Sequence, residues 1–94
     1  MAAFTTIKKS IDHFDQKFVT GNGGTQNVTG LSFAPDLVWT KSTTGTFVHT
    51  TMDKVRGGTK TMEVSSQAAE LTDANAITAF NSDGVSVGNS GITN

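Results

Sequence analysis

Two turn-forming clusters constrain the fold of this chain more than any other feature. They are Gly21-Asn22-Gly23-Gly24 and Asn81-Ser82-Asp83-Gly84. Glycine and asparagine take positive φ at little steric cost, and Asp-Gly is a common dipeptide at the tip of a β-hairpin. The two clusters therefore predict reversals between short strands, which is typical of an antiparallel β-sheet protein.

Alternating apolar and polar residues lie on both sides of these clusters. Residues 18–20 and 26–29 flank the first cluster as a predicted hairpin, and 77–80 and 85–87 flank the second. Further short strands are predicted at 31–33, 36–41, 47–52 and 62–64. We expect residues 53–61, with Gly57-Gly58, to form a loop and residues 88–94 to be loose. The fold class is all-β, a small antiparallel sandwich or open barrel of about six or seven short strands.

Large apolar side chains within these strands are the candidates for the core. Leu37 and Trp39 share one side of the strand 36–41, and Trp39 is the single tryptophan. The predicted core anchors are Phe33, Leu37, Trp39 and Phe80.

The composition indicates one domain with a thin core. The chain has 94 residues, and only 35 % of them are apolar and 16 % charged. A domain of this size has a small margin of stability, so subunit contacts are expected to supply part of it. A net charge of −1 argues against nucleic-acid binding. The absence of cysteine excludes disulfides and thiolate metal sites, and no apolar run is long enough for a signal peptide or a membrane span.

The N-terminal residues form a segment of different character. Phe4, Ile7, Ile11 and Phe14 recur at spacings of three or four residues, as on one face of a short amphipathic helix. Thr5-Thr6 weakens the helical interpretation, so an extended arm remains the alternative. We divide the chain into an arm of residues 1–13 and a single β-domain of residues 14–94, and we regard Phe4, Ile7 and Ile11 as candidate contact residues.

Residues that could carry chemistry are few and scattered. No G-x-S-x-G motif accompanies His13 or His49, and no complete calcium loop or phosphate loop occurs. The chain is therefore predicted not to be an enzyme and to hold no cofactor or metal. Arg56 is the only arginine, and it is expected to pair with Asp53 or Asp36 within the chain, or else to make an intersubunit contact.

Five motifs together resemble a β-domain of uncharacterised function that recurs in tail, tail-fibre and other virion proteins of marine and environmental bacteriophages. The resemblance covers roughly residues 14 to 89, and the motifs are Thr20-Gly21-Asn22-Gly23, Val28-Thr29-Gly30-Leu31, Phe33-x-Pro35-Asp36-Leu37-Val38-Trp39-x-Lys41, Asp53-x-Val55-Arg56-Gly57 and Phe80-Asn81-Ser82-Asp83-Gly84. It implies a structural role in a virion and transfers no catalytic residue. Larger members are expected to add an aromatic strand after the Asp-Gly hairpin; without it, a sheet edge would be open for pairing.

The leading functional expectation is a virion structural protein, either a capsid decoration (cement) subunit or a short tail component. It would be made in the cytoplasm of the host bacterium and located in the virion. Its partners would be the major capsid or tail proteins and further copies of itself, with a trimer favoured, and neither nucleic acid nor a membrane. The alternative is a receptor-binding module of a tail fibre, in which Trp39 or Phe47 stacks on host surface glycans. That alternative requires Trp39 to be exposed.

Overall fold

A computed structural model describes residues 9–94, which form a two-layer antiparallel β-sandwich. The chain begins with a short 3₁₀ helix, and seven strands follow. The helix is Ser10–Asp12, and the strands are β1 (Gln26–Val28), β2 (Leu37–Thr40), β3 (Thr50–Asp53), β4 (Gly57–Glu63), β5 (Leu71–Thr72), β6 (Ile77–Asn81) and β7 (Gly84–Val87). The predicted all-β class is confirmed, and the two separate sheets make the fold a sandwich.

The order of the strands in the two sheets shows which of the predicted hairpins form. One sheet has three strands in the order β1-β7-β6, and the other has four in the order β2-β3-β4-β5. The Asp-Gly hairpin is confirmed, since Asn81 pairs with Gly84 at the β6–β7 turn. The hairpin predicted around residues 21–24 is wrong, because residues 18–20 form no strand and β1 pairs with β7 instead.

Four apolar side chains form the centre of the core. They are Met52 of β3, Ile77 of β6, and Val85 and Val87 of β7. Val28, Val38 and Phe80 are partly buried against them, so Phe80 contributes to the core at its margin. The predicted anchor Phe33 is half-buried in the segment before β2, outside any strand.

Leu37 and Trp39 are not core anchors, and this prediction is wrong. Their side chains are 64 % and 62 % exposed. The alternation of β2 gives the inner face to Val38 and Thr40, which pair with the buried residues Met52 and Thr50 of β3. Leu37 and Trp39 alternate with these two residues and therefore point to the outer face.

The segment 53–61, predicted to be a loop, includes most of the longest described strand. A turn at residues 54–56 leads into Gly57, whose φ of 97° suits glycine, and β4 then runs to Glu63. Gly58 lies where the two sheets meet: a β-carbon there would be 2.5 Å from Cβ of Ile77. Gly57 therefore ends the turn and Gly58 permits the approach of β4 to β6, and neither glycine interrupts the strand.

The C-terminal residues are docked, contrary to the loose tail that the sequence suggested. The amide of Ser90 donates to the carbonyl of Asn75 at 3.2 Å. The side chain of Asn94 accepts a 2.7 Å hydrogen bond from the amide of Asn22 and donates to the carbonyls of Gly24 and Gly88. The first turn cluster is thus fixed by the end of the described chain and not by a hairpin of its own.

The predicted arm is described only in part. Phe4 and Ile7 lie outside the described residues. Ile11 lies in the 3₁₀ helix with its side chain exposed, and residues 14–25 contain no regular element.

Candidate interaction surface

The outer face of the four-stranded sheet carries three apolar side chains, Leu37, Trp39 and Met62, which we call the outer apolar face. Trp39 pairs with Thr51 of β3, and Thr51 pairs with Met62 of β4, so Trp39 and Met62 lie in one row across the sheet. Met62 is 36 % exposed. Exposed apolar side chains that are neighbours on a rigid sheet are typical of protein contact surfaces.

A histidine fixes the orientation of the Trp39 ring. Trp39 Nε1 donates to His49 Nδ1 at 3.1 Å, and the two rings meet edge to face with centroids 5.8 Å apart. Indole can only donate, so this bond requires an unprotonated Nδ1 on His49. The polar edge of the indole is therefore satisfied within the chain, while the ring remains mostly exposed.

Arg56 is held at the border of this face by two carboxylates. Its Nε lies 2.6 Å from Asp53 Oδ2, its backbone amide lies 2.7 Å from Asp53 Oδ1, and its Nη1 lies 3.5 Å from Glu70 Oε1. Nη1 also contacts the sulfur of Met62. The backbone hydrogen bond, followed by the guanidinium bond, lowers the pKa of Asp53 below its ordinary value. The predicted pairing of Arg56 with Asp53 is confirmed, and the contact with Glu70 was not foreseen.

A second apolar region lies between the two sheets, where the sandwich is open on one side. This groove encloses about 1550 Å³. Its walls include side chains that belong to the core or pack against it, and the exposed Phe14 and Phe18 lie along its rim. The core residues that line it are Val28, Val38, Ile77, Val85 and Val87. The groove therefore reaches the core side chains, of which Ile77, Val85 and Val87 themselves stay buried.

Two properties of the described residues concern metal binding and membrane spans. No group of three or more histidine, cysteine, aspartate or glutamate side chains within residues 9–94 is arranged to hold a metal ion. None of the described helices is long and apolar enough to cross a membrane.

Comparison with known protein families assigns this chain to one of them. The family described as Domain of unknown function (DUF7483) matches residues 9–94. The chain belongs to this family. The residues matched to DUF7483 include both sheets, the outer apolar face and the open groove of this chain. No curated protein and no solved structure matches the chain.

Sequence reasoning missed the outer apolar face because it assigned Leu37 and Trp39 to the core. In β2 the bulkier apolar residues point outward, and valine and threonine point inward. Hydrophobicity alone therefore selects the wrong face. The paired segment gave no signal to correct this, because in residues 47–52 either alternating set could be buried; the structure buries Thr50 and Met52.

Proposed function

We propose that this DUF7483 domain is a non-enzymatic structural protein of a bacteriophage particle, either a capsid decoration (cement) subunit or a short tail component. It binds neighbouring virion proteins through residues 1–13 and through an open sheet edge. The virion setting is supported by the five sequence motifs that resemble phage particle domains. The contact function is supported by the apolar surface of the described residues.

One observation carries the contact function: this domain exposes more large apolar side chains than it buries. Five hydrophobic residues are buried, whereas eleven large hydrophobic residues are exposed among residues 9–94. Several of the exposed residues are grouped on the outer apolar face or along the open groove. Exposed apolar residues that are scattered singly are normal, whereas grouped ones indicate a contact surface. Covering such surface with a neighbour would add stability that the thin core does not supply.

The test is incorporation of the full-length chain into particles. Replacing Phe4, Ile7 and Ile11 by serine in one variant removes the apolar side chains of the arm and keeps the chain length. We expect this variant to fold, as judged by circular dichroism, and to be lost from purified particles. Val55→Ser is the matched control, because Val55 is exposed in the β3–β4 turn. Particles that retain the triple variant at full occupancy would refute the role of the arm.

A second candidate function is glycan recognition by a tail fibre, with Trp39 as a stacking platform. The exposure of the Trp39 ring favours it, because a sugar ring can stack only on an accessible aromatic face. Phe47, the other proposed platform, is 49 % exposed.

Tryptophan fluorescence tests this candidate directly, because Trp39 is the only tryptophan. Host surface polysaccharide should shift or quench the emission saturably, and Trp39→Ala should abolish retention on a polysaccharide column. Emission that does not respond, together with equal retention of wild type and variant, would exclude Trp39 as a glycan platform.

A further inference from the structure

The open groove collects more than half of the exposed apolar side chains of the described chain. Of the eleven large hydrophobic residues that are exposed among residues 9–94, six line the groove. Two of them, Phe14 and Phe18, are 76 % and 87 % exposed. Apolar side chains that gather along one concave feature indicate a binding surface. The six are Phe14, Phe18, Val19, Leu37, Trp39 and Phe47.

The size of the groove suits a stretch of polypeptide better than a small molecule. Pockets for small ligands enclose about 300–1,000 Å³. This groove encloses about 1550 Å³, and the half-buried side chains of Leu31, Phe33 and Ile92 continue its apolar wall inward. The occupant that fits is therefore a chain segment that carries apolar side chains.

Residues 1–8, which lie outside the described residues, join the chain beside this groove. The described chain enters through the 3₁₀ helix Ser10–Asp12, and Asp12 already lines the groove. Eight extended residues reach about 26 Å. They exceed the length of β4, the longest described strand, which has seven residues. The segment is thus long enough to follow the groove, and its side chains Phe4 and Ile7 match the apolar wall.

The point of attachment favours the groove of the same chain over that of a second copy. Both grooves have the same walls, so the concentration of the segment at each groove decides between them. A segment tethered by a few residues meets its own groove at an effective concentration in the millimolar range. A second copy matches this only when the protein itself is at millimolar concentration. In dilute solution the groove is therefore filled from its own chain.

We propose that residues 1–8 occupy the open groove of their own chain in the isolated protein, with Phe4 and Ile7 against its apolar wall. The segment then covers apolar side chains that the described residues leave exposed. This inference deepens the proposed function and rests on it for one step: the arm that binds a neighbouring particle protein must first leave the groove. A neighbour in the particle therefore competes with the groove for the arm.

Disulfide trapping in the full-length chain tests this docking. The chain contains no cysteine, so engineered thiols report only on the chosen pair. Thr5→Cys places one thiol between the two apolar side chains of the segment. The second thiol is Ala34→Cys or Thr44→Cys, and both of these residues are exposed in the groove wall. Ala69→Cys is the matched control, because Ala69 is exposed and does not line the groove.

The measured quantity is the rate of disulfide formation within one chain under mild oxidation, followed by mass spectrometry of the monomer. At the faster of the two wall positions this rate should exceed the rate at residue 69 by roughly tenfold, because docking holds the two thiols within disulfide distance. Adding Phe4→Ser and Ile7→Ser should remove the difference. Circular dichroism on each variant separates loss of docking from loss of folding, and the second wall position serves if the first variant does not fold.

Three outcomes would overturn the proposal. They are equal rates at the wall and control positions, a wall rate that the two serine substitutions leave unchanged, and covalent dimers as the main product. Dimers would assign the groove to the segment of a second copy. These measurements use isolated protein, so they are independent of particle incorporation. No docking, together with loss of the triple arm variant from particles, would reject this inference and retain the proposed function; docking with full incorporation of that variant would do the reverse.

Discussion

Met52 should be a far more costly site to truncate than its chemically identical neighbour Met62. Met52 is fully buried in the centre of the core. Met52→Ala removes three buried heavy atoms and leaves a cavity, which costs about 2–5 kcal/mol in other cores. A chain of 94 residues has a total unfolding free energy of roughly 5–14 kcal/mol, at about 0.05–0.15 kcal/mol per residue. At the middle of both ranges, the single change is thus expected to remove about a third of the stability.

Urea unfolding followed by far-ultraviolet circular dichroism measures this difference. The midpoint for Met52→Ala should fall well below that of wild type with an unchanged slope, and the melting temperature should fall by at least about 8 °C. Met62→Ala is the control: its side chain lies on the outer apolar face, so we expect a cost below about 1 kcal/mol. Equal losses for the two variants would contradict the assignment of the inner and outer faces of this sheet.

Two further predictions concern the β3–β4 turn and the sheet junction. Arg56 lowers the pKa of Asp53, so the stability that this carboxylate adds is present above its ordinary value of 3.8 and is lost as the pH falls through the lower folded value. Wild type and Asp53→Asn should therefore differ in urea midpoint at neutral pH and converge in acid; a gap independent of pH would show that ionisation is not involved. Gly58→Ala should destabilise by about 1–3 kcal/mol because its β-carbon would press on Ile77, whereas Gly24→Ala, which has room for a methyl group, should be nearly neutral in the same assay.

The pairing of the strands shows how far sequence reasoning extends. The β6–β7 hairpin was predictable because four adjacent residues specify its turn. The first turn cluster looked equally clear, yet β1 pairs with β7, a strand almost sixty residues away in the chain. Gly84 of β7 packs so closely against the carbonyl of Val28 that no side chain would fit there. A local turn motif predicts that the chain reverses, but it does not predict which strand will pair with the strand that follows the turn.

The contacts of the candidate surface likewise divide into those that local sequence suggests and those that depend on the tertiary fold. The sequence offered Asp53 or Asp36 as the partner of Arg56, and the structure forms the pair with Asp53 in the β3–β4 turn. Glu70 joins them only through the tertiary fold. The Trp39–His49 contact likewise depends on the β2–β3 register, because ten residues separate the two rings in the sequence.

By itself, the sequence determined that this chain forms short antiparallel strands and that residues 81–84 make a hairpin turn, and it offered Asp53 as one of two carboxylate partners for Arg56. These features depend on neighbouring residues and on backbone preferences that each residue carries with it. Only the tertiary structure decided that Leu37 and Trp39 face outward and that β2 is an edge. Strand alternation defines two faces equally well, and the packing of one sheet on the other selects which face is buried.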